Sequence, residues 1–199
     1  MASQRLDLSE LLRGGLLLFE ETLKKRVEDA LSRIRDNVGK VDYATLVKVG
    51  DEIARAERIF ITGRGRSEFI GKIFAIRLLN RGYRVYFVGL DVIDLIPPLE
   101  KNDLVIAISG SGETREVVSA VSTAKEIGCK IVAVTSHPNS TVGRMADIVL
   151  KIEGREERTE KSFLERTVYG ELEPPGGLFE LSAVIILESL ANSLDVKKH

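Results

Sequence analysis

Six residues between Ile108 and Arg115, Ser109-Gly110-Ser111-Gly112-Glu113-Thr114, gather three hydroxyls and two glycines. An apolar run, Leu104 to Ile108, leads into them, and a helical pattern from Arg115 to Ile127 leads out. Such a run reads as a buried parallel strand, and the pattern after it as a helix that starts at the cluster. A helix start offers N–H groups without internal acceptors and the positive end of the helix dipole. Glycine lets a ligand approach the backbone closely. Together these groups make a cradle for an anion, foremost a phosphate. The competing reading is a Ser-rich turn with an N-cap and no ligand, but one cap uses only one hydroxyl. No Gly-Lys-Ser/Thr closes the turn, so it is not a Walker loop.

A second turn of the same kind follows the apolar run Arg58 to Gly63. It reads Gly63-Arg64-Gly65-Arg66-Ser67 and precedes a helical stretch from about Glu68 to Asn80. Its glycines superficially resemble a dinucleotide fingerprint, but Glu68 occupies the third glycine position. Asp91, after the next strand, lies later than a ribose-binding acid would. Arg64 and Arg66 offer guanidinium forks to a phosphate or an acidic sugar; the alternative is a pair of solvated loop charges.

Three further residues carry chemistry. His137, in the loop Ser136 to Thr141, is a candidate catalytic group because it titrates near neutral pH. Glu180 falls in the first turn of a final helix, where a carboxylate also answers the helix dipole. Cys129 follows Gly128 at a strand start and reads as a small buried hydrophobe.

These groups need a scaffold, and the rest of the chain supplies one. Apolar runs at 58–63, 83–88, 104–108, 130–135 and 146–152 alternate with helical patterns. That alternation predicts a parallel sheet of five strands with helices on both faces. Ligands bind such sheets outside the carboxyl ends of the strands. The turns 63–67, 109–114 and 136–141 all fall at those ends. Asn139 or Ser140 caps a short helix ending at Met145, and the last helix runs from about Leu178 to Leu194. Ahead of the α/β part, residues 7–36 read as a helix with Leu8, Leu11, Leu12, Leu16, Phe19, Leu23, Val27, Leu31 and Ile34 on one stripe. Gly14-Gly15 is expected to bend or split it. Asp42 caps a second helix, Tyr43 to Ala56. The stripe must bury itself on its own domain or on another subunit. Residues 153–176 are charged and loop-like, either a solvated segment or a lid, and Leu90 to Glu100 reads as a loop or short helix.

With 199 residues the chain can bury a real core as one domain plus extensions. A net charge of -1 gives no electrostatic case for nucleic acid or an anionic membrane. One cysteine excludes an internal disulfide and a cysteine metal site. No apolar run is long enough to span a bilayer, and no signal-peptide layout is present, so the cytoplasm is expected.

The segments 63–67, 108–114, 132–136 and 175–180 resemble the sugar isomerase (SIS) domain, and in their wording the 6-phospho-3-hexuloisomerases. The likeness runs from about residue 58 to 194, which divides the chain into an N-terminal helical extension, 1–57, and an SIS domain, 58–199. The resemblance implies a flavodoxin-like three-layer sandwich, a homodimer or homotetramer, a phosphorylated sugar as ligand, and no metal or cofactor. It implies an isomerase that interconverts D-arabino-3-hexulose 6-phosphate and fructose 6-phosphate through an enediolate. Carried over, Ser109, Gly110, Ser111, Gly112, Thr114 and Ser67 hold the phosphate. Gly63, Arg64, Gly65 and Arg66 line the sugar, and Glu180 is the base. Phe179 and Pro174-Pro175 would give that base an apolar setting. The family pattern differs here at Glu68, at 90–94, at Gly177 and after the last helix. Two alternatives share the site plan: a phosphosugar-binding module without catalysis, and an isomerase for arabinose 5-phosphate or sedoheptulose 7-phosphate.

Overall fold

The computed structural model describes residues 8–89, 96–154 and 177–197, with side chains from residue 18 onward. The motif residues expected at 90–94 and 155–176, Asp91 and Pro174-Pro175 among them, and the last two residues lie outside that range. The elements are α1 (Leu8–Gly39), α2 (Tyr43–Arg55), β1 (Ile59–Gly63), α3 (Arg66–Leu79), β2 (Val85–Val88), β3 (Leu104–Ile108), α4 (Arg115–Ile127), β4 (Lys130–Thr135), α5 (Thr141–Met145), β5 (Ile148–Lys151) and α6 (Leu178–Ser193).

The strands form one five-stranded sheet in the order β2-β1-β3-β4-β5, every pair parallel. Every residue of β1 and β3 is buried, as continuous apolar runs in a doubly covered sheet require. Alternate residues then serve opposite faces. Ile59, Ile61, Leu104, Ile106, Val132 and Val134 pack in one core with α2, α3 and α6. Phe60, Val105, Ala107, Ile131 and Ala133 pack in the other with α4 and α5. This is the expected three-layer sandwich. The strand order reverses between β1 and β3, and a crevice opens at such a switch point.

Helix α1 departs from expectation in one respect. Gly14-Gly15 does not interrupt it; the helix is continuous over 32 residues. A glycine in a helix costs about 1 kcal/mol against alanine, which a long flanking helix on both sides absorbs. Its carboxyl-terminal part packs on α6. Leu18, Phe19, Leu23, Val27 and Leu31 stay exposed, each by 50% or more. Among the described residues no helix is long and apolar enough to cross a membrane.

Far from the switch point, Arg58 and Asp103 form a close ion pair at the amino ends of β1 and β3, with N···O distances of 2.6 and 2.8 Å. Cys129 is buried, as expected, and its thiol donates to the Glu100 carbonyl.

Candidate functional site

Three helices start at the carboxyl edge without a side-chain cap: α3 after Gly65, α4 after Thr114 and α6 after Gly177. By contrast, Asp42 caps α2 and Ser140 caps α5. A helix start normally recruits a side-chain oxygen for its orphan N–H groups. Among the described residues no such oxygen serves α3, α4 or α6.

The turn at 109–114 is internally braced. Ser109 is 2% exposed, and its hydroxyl oxygen accepts from Gly112 N–H and lies 3.3 Å from Thr114 Oγ1. Thr114 thus turns its hydroxyl back toward Ser109 and leaves the first turn of its own helix open. Ser111 Oγ accepts from Glu113 N–H, and Ser111 itself is exposed. Gly112 has φ +64°, and the Ser140 side chain occupies the place a β-carbon would take there. Only glycine fits both conditions. Gly110 sends its carbonyl to Ser136 N–H and Thr135 Oγ1, which joins the turn to the end of β4.

The turn at 63–67 is equally tight. A β-carbon on Gly63 would stand 2.8 Å from the Ser67 carbonyl oxygen, so the chain can close there only without one. Ser67 is nearly buried in the first turn of α3. Arg64 reaches Glu68 at 3.4 Å and Glu116 at 3.8 Å. Glu68 also binds Lys72 at 2.6 Å. The negative charge that Glu68 adds to this turn is therefore met by two cations, and Arg64 is met by carboxylates of its own chain. Beside Arg64, a cleft of about 430 Å³ opens between the ends of β1 and β2 and the first turns of α4, lined by Thr62, Val88, Arg115 and Ser119 among others.

Helix α6 links the two turns through adjacent residues. Phe179 lies against Gly110, and Glu180 lies 2.9 Å from Arg66 Nη2. The Glu180 side chain is 19% exposed, that of Arg66 62%. Phe179, expected to give Glu180 an apolar setting together with Pro174-Pro175, packs on the 109–114 turn, and Pro174-Pro175 lie outside the described residues. Its ring is used as the floor of the 109–114 turn, and a guanidinium is the partner of the carboxylate.

The sequence-derived residues Gly63, Arg64, Gly65, Arg66, Ser67, Ser109, Gly110, Ser111, Gly112, Thr114 and Glu180 all reach this one edge. His137 shares the edge, in the loop after β4. Its N–H donates to Thr135 Oγ1 and its carbonyl accepts from Ser140 N–H. These bonds hold its backbone and do not join it to Glu180. Sequence reasoning missed Glu113, whose carboxylate accepts from Thr141 N–H at 2.8 Å and Thr141 Oγ1 at 2.7 Å. The partners are 28 residues apart, and no periodicity signals such a contact. It also missed Asn37, a buried polar residue on the inner face of α1.

An α/β sandwich with a hydroxyl- and glycine-rich anion cradle at its switch point defines the class. The SIS domain family matches residues 52–169. The chain is 38% identical over 175 residues to an uncharacterised protein of Archaeoglobus fulgidus, covering 87% of this chain and 88% of that one. It is 35% identical over 176 residues to the 3-hexulose-6-phosphate isomerase of Methylomonas aminofaciens, covering 88% and 92%. Among solved structures it resembles the hypothetical protein MJ1247 of Methanococcus jannaschii, for which a 3-hexulose-6-phosphate isomerase function was inferred. There the TM-score is 0.65 and the identity 32%, over 82% of this chain and 88% of that one. The chain belongs to the SIS domain family, and within it to the phosphosugar isomerases.

Proposed function

We propose that this protein is a cytoplasmic isomerase that interconverts D-arabino-3-hexulose 6-phosphate and fructose 6-phosphate. One observation carries the reading. Consecutive residues of α6 meet both turns, Phe179 at Gly110 and Glu180 at Arg66. A carboxylate is thereby held beside an anion cradle, as a reaction on a phosphorylated sugar needs. The names of the relatives at comparable identity and near-full coverage support the particular substrate.

In this reading the phosphate sits at the first turn of α4, with Ser109, Ser111 and Thr114, and Ser67 at the start of α3. The Glu180 carboxylate takes the proton from C2 of the 3-hexulose. The C–H electron pair forms the C2–C3 double bond, and the carbonyl pair moves onto O3 to give an enediolate. The proton returns to C3, the O2 hydroxyl proton is lost, O3 is protonated, and C2 becomes the carbonyl. The sum is an isomerisation with no change in atoms or electrons. In this reading Arg66 offsets the charge that develops on oxygen, a contribution of a few kcal/mol for a well-aimed donor. The chemistry requires no cofactor.

The exposed apolar stripe on α1 supports a homodimer or homotetramer. A monomer by light scattering at micromolar concentration would contradict that assembly.

The test of the activity is direct. The protein is given 3-hexulose 6-phosphate and the appearance of fructose 6-phosphate is followed. Arabinose 5-phosphate and sedoheptulose 7-phosphate serve as competing substrates. No turnover of any of them, with phosphosugars still raising the melting temperature by mass action, would replace the isomerase by a phosphosugar-binding module.

A further inference from the structure

We infer that Asn37, at the carboxyl-terminal end of α1, is a positioning residue for Glu180. The inference rests on the reading of Glu180 as the base and adds a residue outside the span that matches the family.

Asn37 is 3% exposed, and both ends of its amide are used. Nδ2 donates to the Glu153 carbonyl at 2.8 Å and to Ser182 Oγ at 2.9 Å. Oδ1 accepts from Glu153 N–H at 3.2 Å. One side chain therefore grips the main chain just after β5 in both directions and holds α6 two residues beyond Glu180. Ser182 is fully buried, so this bond is made where water cannot replace it. Removing one partner from such a set leaves buried polar groups unpaired.

The contacts continue from that junction to the site. A β-carbon on Gly154, next to Glu153, would stand 3.1 Å from Phe179 Cβ. The Phe179 ring in turn meets Gly110 in the 109–114 turn. Glu180, the next residue in the first turn of α6, meets Arg66. Among the described residues no side-chain cap holds the start of α6. Its register against the sheet is instead set by Phe179 on one side and by the Asn37–Ser182 bond on the other. A carboxylate base must be placed within a fraction of an ångström of the carbon acid, and misplacement by about 1 Å lowers turnover on the order of 100-fold. A buried amide that fixes the helix carrying the base belongs to that requirement. An asparagine is well suited, because it must donate to a carbonyl and accept from an N–H of the same residue.

The test is Asn37→Ala in the full chain, with Glu180→Gln as reference. Each is assayed well below its own melting temperature, on protein with the parent's circular dichroism. Asn37→Ala is expected to lower kcat about 10- to 100-fold with KM within about threefold of the parent, because Asn37 bonds to Glu153 and Ser182 and not to the phosphate cradle itself. Ser182→Ala is the milder variant if Asn37→Ala does not fold. It is expected to lower kcat by roughly 3- to 10-fold at unchanged KM, and to add little when combined with Asn37→Ala. A merely structural asparagine would lower the melting temperature and leave kcat per folded molecule unchanged. Parent kcat in both variants, beside an inactive Glu180→Gln, would overturn the inference and leave the base in place. Full turnover by Glu180→Gln would remove the base itself, and the inference with it.

Discussion

The ring of Phe179 crowds the place where a side chain at position 110 would begin: a β-carbon on Gly110 would lie 3.2 Å from Phe179 Cδ1, closer than ordinary contact. Glycine at 110 thus eases a close contact with a residue 69 positions away in the chain and adjacent to Glu180. Gly110→Ala would push the ring, which is 5% exposed and has little room to yield. The expected cost is about 1–3 kcal/mol of stability. Turnover should fall by about 10-fold or more as α6 shifts. Thermal unfolding and steady-state kinetics on the same preparation check both; unchanged kcat would show that Phe179 does not set the position of Glu180.

Glu180→Gln keeps the size of the side chain and removes its capacity to take a proton. Turnover should fall by roughly 100- to 10,000-fold, the usual range for a positioned general base. Binding of fructose 6-phosphate, measured by its effect on the melting temperature, should change little, because the cradle at 109–114 does not involve this carboxylate.

Arg66 separates catalysis from stability. Its side chain is 62% exposed, so the Arg66–Glu180 pair at 2.9 Å is screened by water. Arg66→Ala is expected to change stability by no more than about 0.5 kcal/mol. Its loss should nevertheless lower kcat by about 10-fold or more if the guanidinium answers charge on the enediolate. Equal kcat in variant and parent would reduce Arg66 to a surface charge.

The periodicity of apolar residues was enough to read the sheet, its parallel sense and the edge where the turns meet. Strands such as Leu104–Ile108 are buried throughout, and a continuous apolar run reports that directly. Local hydrogen bonds were legible as well: Asp42 accepts from Ala44 N–H and Ser140 from Gly143 N–H, both from the side chain of an N-cap. Contacts between distant segments were not. Arg66 with Glu180, Glu113 with Thr141 and Asn37 with Ser182 join residues whose spacing carries no period. The contact of Phe179 with Gly110 was hidden for the same reason, since the direction of its ring depends on tertiary packing. The split allowed for at Gly14-Gly15 did not occur: local propensity favoured a break, and the long helix around it prevailed.

Gly112→Ala meets two obstacles at once. The backbone there has φ +64°, and the Ser140 side chain fills the space that a β-carbon needs. Left-handed backbone strain and overpacking each cost about 1–3 kcal/mol. The variant should be destabilised by about 3 kcal/mol, and KM should rise because Ser140 and the cradle must move apart. Denaturant unfolding gives the first quantity. A parent-like KM in the folded variant would argue against a phosphate at this turn.

Cys129 offers a test of the frame away from the site. Burial pushes its thiol above the usual cysteine range, and the neighbouring Asp103 carboxylate adds to the effect. The thiol also donates to the Glu100 carbonyl at 3.3 Å. Alkylation needs the thiolate and access to it, and folding withholds both. Near pH 8 the native protein should therefore react with iodoacetamide at least about 100-fold more slowly than the protein in concentrated urea, since labelling must await an opening of the fold. Raising the pH should speed both reactions in parallel, because each proceeds through a thiolate exposed to solvent. Equal rates in the two states would place Cys129 on a mobile surface and contradict its packing beneath the sheet against Ile131 and Val105.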